Sequence, residues 1–259
     1  MRVYKIWHDG GVGRERGSGM NEQAGDDSAP HIRISSTDEI ATALDRAGLR
    51  RGRMVVVIVG GAGRMAEKDF EAAAEVLRKE VMPIVELRNA VVIDGGTDSG
   101  VMRSIGQARA QLGGRFPLVG VAAEGTVVGP DGESASPDAA GLEPNHTLFL
   151  IVPGSQWGDE SPWIADVATA VAGDRTSVTL LVNGGHVAYT DVARSLDNGR
   201  PVVVLAGSGR TADAIARARA GHGGEALAVD IAASPLTRVV DIGEAGAVAA
   251  AIETVLDGG

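Results

Sequence analysis

Four glycine-centred turns each follow a run of β-branched residues: VVVIVGGAG at 55–63, VVIDGGTDSG at 91–100, VTLLVNGG at 178–185 and VVVLAGSGR at 202–210. Glycine lets backbone N–H groups come close to an anion, and a helix opening behind the turn adds the positive end of its dipole. The chemistry on offer is the cradling of phosphate in one nucleotide-type pocket. In the first turn the candidate contacts are Gly60, Gly61, Gly63 and Arg64. This turn has neither the GxGxxG spacing of a dinucleotide dehydrogenase nor the GxxxxGK[ST] of a P-loop, and a ligand-free strand-to-helix turn is its alternative. The second turn offers Gly95, Gly96, Thr97, Ser99 and Gly100. Thr97 or Ser99 is placed to bond a phosphate or ribose, while Asp98 or Ser99 serves equally as a helix cap. Asn183, Gly184 and Gly185 come from the third turn, and Gly207, Ser208, Gly209 and Arg210 from the fourth. Arg210 is the expected anion clamp, because guanidinium grips phosphate bidentately; an ion pair with Asp213 is the alternative.

Other residue types extend this chemistry. Two of the three tryptophans fall in Ser155–Trp163 (SQWGDESPW), in a chain with only 3% aromatic residues. Trp157 is expected to stack an adenine-like base or else to close a loop, and Trp163 to pack in the core. Glu160 either accepts from a ribose hydroxyl or caps the helix that follows. His146, in LEPNHT, is the best candidate for a general acid or base, since imidazole titrates near neutrality; the alternative is a histidine locked in a structural hydrogen-bond network. No GxSxG elbow accompanies these residues, and the five histidines show no HxxxH spacing, so neither a serine triad nor a metal site is expected. With no cysteine, thiol catalysis, disulfides and thiolate metal ligation are excluded.

These turns need strands to hold them. Continuous Val/Ile/Leu runs mark buried parallel strands, expected near 54–59, 90–94, 117–122, 147–152, 178–182, 201–205 and 238–242, with a short one at 32–34. Helices are expected to open at Thr37 and to cover 66–81, 99–112, 161–172, 188–198, 211–220 and 244–256. This rhythm predicts an α/β fold: an open, mostly parallel Rossmann-like sheet with helices on both faces. Residues 1–30 read as a mobile segment rich in glycine and charge, and 31–259 as a single domain. The stretch at 129–143 (GPDGESASPDAAGLE) is expected to be a surface loop beside the ligand edge, either a lid or a passive insertion.

Lys+Arg total 24 against 34 Asp+Glu, a formal net charge of −10. Without a basic stripe, polymeric nucleic acid is not an expected partner, whereas a small anion bound by local donors remains so. No apolar run reaches the roughly 18 residues of a membrane span, and the start MRVYKIWHDGG lacks a secretory core. A soluble, cytoplasmic protein is the expectation.

The string VIDGGTDSGVM, followed in order by LEPNHTLFLIV, QWGDESPW, LLVNGG and VVVLAGSGR, resembles the SLOG superfamily across roughly Met54–Ile215. It is most similar to the branch at the cytosolic amino terminus of melastatin-type TRP cation channels, which also occurs in stand-alone form in prokaryotes. The resemblance implies a pocket for a nucleotide-derived ligand such as ADP-ribose, a cyclic relative or an NAD-like compound, and does not itself imply catalysis. It matches Gly95, Gly96, Thr97 and Gly100 to the family's glycine-threonine turn, Gly184 and Gly185 to its paired glycines, and Ser208, Gly209 and Arg210 to its GSGR turn. Trp157 takes the place of an aromatic residue that lies against ADP-ribose. One position departs: Ile164 stands where the ligand-binding branch has an arginine. Loss of such a contact costs about 1.5–3 kcal/mol, up to around a hundredfold in affinity, so the ligand differs or Arg64 supplies the charge. A second branch, the Lonely-guy-type phosphoribohydrolases, implies an alternative as a nucleotide N-glycosidase. Asp191 falls where that branch's glutamate follows its PGGxGT turn, although the proline and the GT are missing here. Asp191, Glu160 and His146 are the catalytic candidates of that reading. A binding domain without an effector also implies a partner, either a further copy in a homo-oligomer or an effector polypeptide.

Overall fold

The computed structural model describes residues 29–61, 67–128 and 136–258. Eight strands form: β1 His31–Arg33, β2 Val55–Gly60, β3 Val91–Asp94, β4 Leu118–Ala123, β5 Leu148–Val152, β6 Ser177–Val182, β7 Val202–Ala206 and β8 Thr237–Asp241. Between them lie α1 Ile40–Arg46, α2 Glu67–Val76, α3 Met82–Leu87, α4 Gly100–Leu112, α5 Ser161–Ala172, α6 His186–Asp197, α7 Arg210–Arg219, α8 Ala226–Ala233 and α9 Ala247–Asp257. Every expected strand is present within a residue of its expected bounds. Residues 1–28, most of the expected mobile segment, lie outside the described residues.

All eight strands belong to one parallel sheet, in the order β1-β5-β4-β3-β2-β6-β7-β8. Side chains alternate across a strand, and β2 is apolar on both faces as a central strand must be. Val55, Val57 and Val59 enter one core with residues of α1, α5, α6, α7 and α8, whereas Val56 and Ile58 enter a second with α2, α3, α4 and α9. The result is the expected open Rossmann-like α/β arrangement, with helices on both faces. From β2 the chain steps outward through β3, β4 and β5, then crosses back over β2 to β6 and continues the other way. Loops at the carboxyl ends of β2 and β6 therefore diverge and leave a crevice at this switch point.

Two helical features depart from expectation. The helix expected at 66–81 continues through a π-helical turn, Leu77–Val81, into α3. Pro83 has no N–H to donate, and the wide turn before it makes Pro83 part of a new first turn, where none is needed. α8 has no counterpart among the expected helices, because ALAVDIAA carries no amphipathic contrast. It is held by tertiary packing instead, burying Ala228, Ile231 and Ala232 against α6 and α7.

Candidate functional site

Loops leaving β2, β3, β4, β5, β6 and β7 surround a cavity of about 590 Å³, a size typical of small-ligand sites. Gly60, Gly61, Gly95, Thr97, Ser99, Trp157, Glu160, Gly185 and Arg210 all line it, together with Asp191. Gly63 and Arg64 lie outside the described residues. Gly96, Gly100, Asn183, Gly184, Gly207, Ser208 and Gly209 are not on the cavity wall but shape the turns that form it. Gly96, for example, has φ 68°, and a Cβ there would lie 2.8 Å from Gly120 Cα, so the turn packs directly on β4. Asn183 Nδ2 donates to the Ser208 carbonyl at 2.6 Å, and the Asn183 N–H donates to Ser208 Oγ at 2.7 Å. Thr211 Oγ1 donates to the Gly185 carbonyl at 2.9 Å. The turns after β6 and β7 are thus one hydrogen-bonded unit. Within it Asn183 and Arg210 hold left-handed backbone, φ 60° and 48°. Non-glycine residues adopt that region at a cost of about 1–3 kcal/mol, and such strain clusters at functional sites.

The wall has an anion-seeking side. Ser99, Gly185 and Gly209 occupy the N-cap positions of α4, α6 and α7, and none of these helix starts carries a side-chain cap. The alternative for the second turn, a cap from Asp98 or Ser99, is therefore not realised. Asp98 Oδ1 instead accepts from Arg103 Nε at 2.7 Å, and Ser99 Oγ lies 3.3 Å from Thr97 Oγ1. The Val101 N–H of α4 donates to the Gly61 carbonyl at 3.2 Å and the Ala212 N–H of α7 to the Asn183 carbonyl at 2.9 Å, while the positive dipole ends of the three helices attract negative charge. Arg210 stands beside them: Nη2 is 3.1 Å from the point where a Gly185 Cβ would be, and Nη1 3.8 Å from that at Gly61. The guanidinium thus bridges the turns after β2 and β6. Asp213, its alternative partner, accepts the Gly207 N–H at 2.7 Å.

The other side is apolar and acidic. Trp157 is 37% exposed at the cavity, while Ile164 is buried on its wall and Trp163 packs against the core, as expected. Glu160 does not cap α5; it accepts the Gly158 N–H at 2.9 Å. Burial pushes the Glu160 carboxyl above its usual range, against the pull of its backbone N–H contacts, and nearby Asp159 adds to the rise. Burial acts more strongly on Asp191, raising it to about 7; the Ser161 hydroxyl offsets part of this and Glu160 adds to it. Asp191 Oδ1 is buried without a hydrogen-bond partner. A carboxyl poised near neutrality on a cavity wall is able to donate or accept a proton. Among the described residues no group of three or more acidic or histidine side chains is arranged to hold a metal ion.

His146 is not at the cavity. Its side chain is fully buried, with Nδ1 2.9 Å from Glu143 Oε2 and Nε2 2.9 Å from Asp94 Oδ1, and its ring stacks on Phe149. Burial opposes its charge, but the Asp94 and Glu143 carboxylates prevail and raise its pKa to about 9. The structural-network alternative accordingly describes His146, and its candidacy as an acid or base at the cavity falls. The network matters for the site all the same, because Asp94 Oδ1 also accepts the Gly96 N–H at 2.7 Å. An ion cluster thus props up the glycine-threonine turn. The sequence reading did not identify Asp94 and Glu143 as the histidine's partners; Glu143, three residues before His146, was the available signal. α4 fits over this cluster only through Gly106, whose Cβ would lie 1.9 Å from Glu143 Oε2. Gly106→Ala is expected to cost about 1–3 kcal/mol or more, read as a lowered urea midpoint; an unchanged midpoint would contradict this packing.

Asp138 and Ala140 also reach the cavity wall, from the segment expected to be a loop or lid, and Thr126 joins them from the turn before it. Residues 129–135 of that segment lie outside the described residues. Its return limb is fixed by bridges from Ala140 to Val127 and from Leu142 to Thr97. No described helix is long and apolar enough to cross a membrane.

The family model described as "SLOG in TRPM, prokaryote" matches residues 53–251. Transient receptor potential cation channel subfamily M member 2 of Mus musculus is 24% identical over 208 residues, covering 66% of this chain and 14% of the channel. Transient receptor potential cation channel subfamily M member-like 2 of Nematostella vectensis is 26% identical over 232 residues, covering 74% of this chain and 15% of that protein. The chain therefore spans about one seventh of these relatives' length. A match that contains every strand from β2 to β8 and every turn of the cavity places the chain in the family of SLOG domains of the TRPM type, in its prokaryotic branch.

Proposed function

We propose that this domain binds a nucleotide-derived ligand of the ADP-ribose class in the switch-point cavity. The observation that carries the reading is the meeting of three uncapped helix starts with the Arg210 guanidinium on one cavity wall. Phosphates take the turns at 95–99 and 184–186 and are clamped by Arg210, while Trp157 offers a face to the base. The choice of ADP-ribose rests on the resemblance of these turns to the channel branch. Arg210 is the only arginine or lysine on the described cavity wall, and Ile164 on the same wall is apolar. Calorimetric titration with ADP-ribose, AMP and ribose 5-phosphate tests the reading. Saturable binding is expected, strongest for ADP-ribose; no saturable binding across the three would overturn it.

One observation favours a second reading, hydrolysis of an N-glycosidic bond: Asp191 is poised at about 7 beside Glu160 on the cavity wall. In that reaction the water oxygen adds to the anomeric carbon, the bond to the base breaks, a protonated carboxyl gives its proton to the leaving nitrogen, and the proton lost by the water restores that carboxyl. Chromatography after incubation with AMP or ADP-ribose separates the readings, since binding alone returns intact ligand. Asp191→Asn provides a further check. A carboxyl raised from 3.8 to about 7 contributes its full stability below about pH 4 and loses it as pH rises through 7. The variant is therefore expected to be more stable than the parent at pH 8 by at least about 1 kcal/mol, roughly 2–4 °C in Tm, with no gain at pH 4. A hydrolase would also lose turnover in this variant, while a pure binder would keep its ligand.

A further inference from the structure

The opposite end of the sheet carries a second concentration of charge. Segments entering β2, β3 and β6 at their amino ends bring Arg50, Arg51, Arg53, Arg88 and Arg175 to one cavity of about 320 Å³. Five arginines line it in a chain of net charge −10. Like charges gathered in one place repel, so the cluster needs negative charge to offset it. Internal carboxylates do this only in part. Arg88 pairs with Asp257, and Arg51 reaches Asp45 at 3.6 Å. Arg50 and Arg175 are exposed and form no ion pair with any described residue.

One member is fixed in place. Arg53 Nε donates to the Asn89 carbonyl at 2.9 Å, and its Nη2 donates to Asn89 Oδ1 at 2.6 Å. Asn89 makes this grip from left-handed backbone, φ 49°. A held guanidinium with the exposed Arg50, Arg51 and Arg175 around it suits tetrahedral oxyanions, which arginine forks bind bidentately. The cavity volume falls at the lower end of the small-ligand range, enough for two or three linked phosphates rather than a whole dinucleotide. This basin is also distinct from the first site. The two lie at opposite ends of β2, Val55 and Gly60, roughly 16 Å apart at about 3.3 Å per residue.

We propose that the arginine basin at the amino end of the sheet is a second ligand site, taking a compact polyphosphate anion. The test is calorimetric titration of inorganic tripolyphosphate into the full chain carrying Arg210→Ala, which disables the clamp of the first cavity. The same titration is then made after adding Arg50→Gln and Arg175→Gln, exposed positions whose replacement leaves the core untouched. Saturable binding is expected in the Arg210→Ala protein, weakened at least tenfold by the two further changes and weakened by added salt. Absence of saturable binding overturns the proposal, as does equal affinity with and without the two arginines. A polyglutamate peptide that binds there as tightly as tripolyphosphate overturns the assignment to phosphate.

Discussion

Arg210→Ala is expected to weaken ADP-ribose binding ten- to a hundredfold. The range follows from a charge-assisted hydrogen bond worth about 1.5–3 kcal/mol, made where the helix starts of α6 and α7 already concentrate positive potential. The backbone at this residue sharpens the experiment. Arg210 opens α7 at φ 48°, a conformation that glycine adopts freely and alanine does not. Arg210→Gly should therefore lose the same affinity as Arg210→Ala while folding more stably than the alanine variant, because glycine adopts this backbone without strain. Calorimetry gives the affinities and thermal unfolding the stabilities. Unchanged affinity in both variants would take Arg210 out of the site.

His146→Gln is expected to cost about 3–5 kcal/mol, because it strips the shared cation from two buried carboxylates. Asp94 and Glu143 are essentially inaccessible, and each has an oxygen 2.9 Å from the imidazole. Glutamine spans only part of that distance and carries no charge. The parent protein should show the same cluster through pH. With the pKa of His146 raised from 6.5 to about 9, its contribution is complete below about pH 6.5 and is lost as pH rises through 9. Unfolding free energy from urea titrations should fall by a few kcal/mol between pH 6.5 and 9.5, and the glutamine variant should lack this fall. A flat profile in the parent would contradict a charged His146. Since Asp94 also holds the Gly96 N–H, ligand affinity should decline over the same interval.

Much of this was legible in the chain, for identifiable reasons. Strands such as VVVIV and LFLIV declare themselves because a strand covered on both faces has no polar position to confuse the pattern. Turns such as NGG and GSGR were readable because glycine is the residue that positive φ selects. Helices were less legible where packing rather than periodicity decides, as in ALAVDIAA, or where a π turn carries the chain past Pro83. Within the site, the sequence brought forward Thr97, Ser99, Trp157, Glu160 and Arg210, and all five stand on one cavity. For His146 it left both an acid or base and a structural network open, because the partner that decides, Asp94, is 52 residues away, a separation that local pattern does not bridge. Thr126 and Asp138 join the cavity through topology alone, as their residue types and spacing carry no signal of their own.

Amide hydrogen exchange with and without ADP-ribose tests the central claim most directly, because it reads the turns themselves. The account predicts slower exchange on ligand addition at 95–99, 184–188 and 208–212, the glycine turns and helix starts of the switch point, with the amino-end loops at 50–54 and 88–90 unchanged. No slowing at those turns at saturating ligand, or slowing confined to other segments, would contradict it.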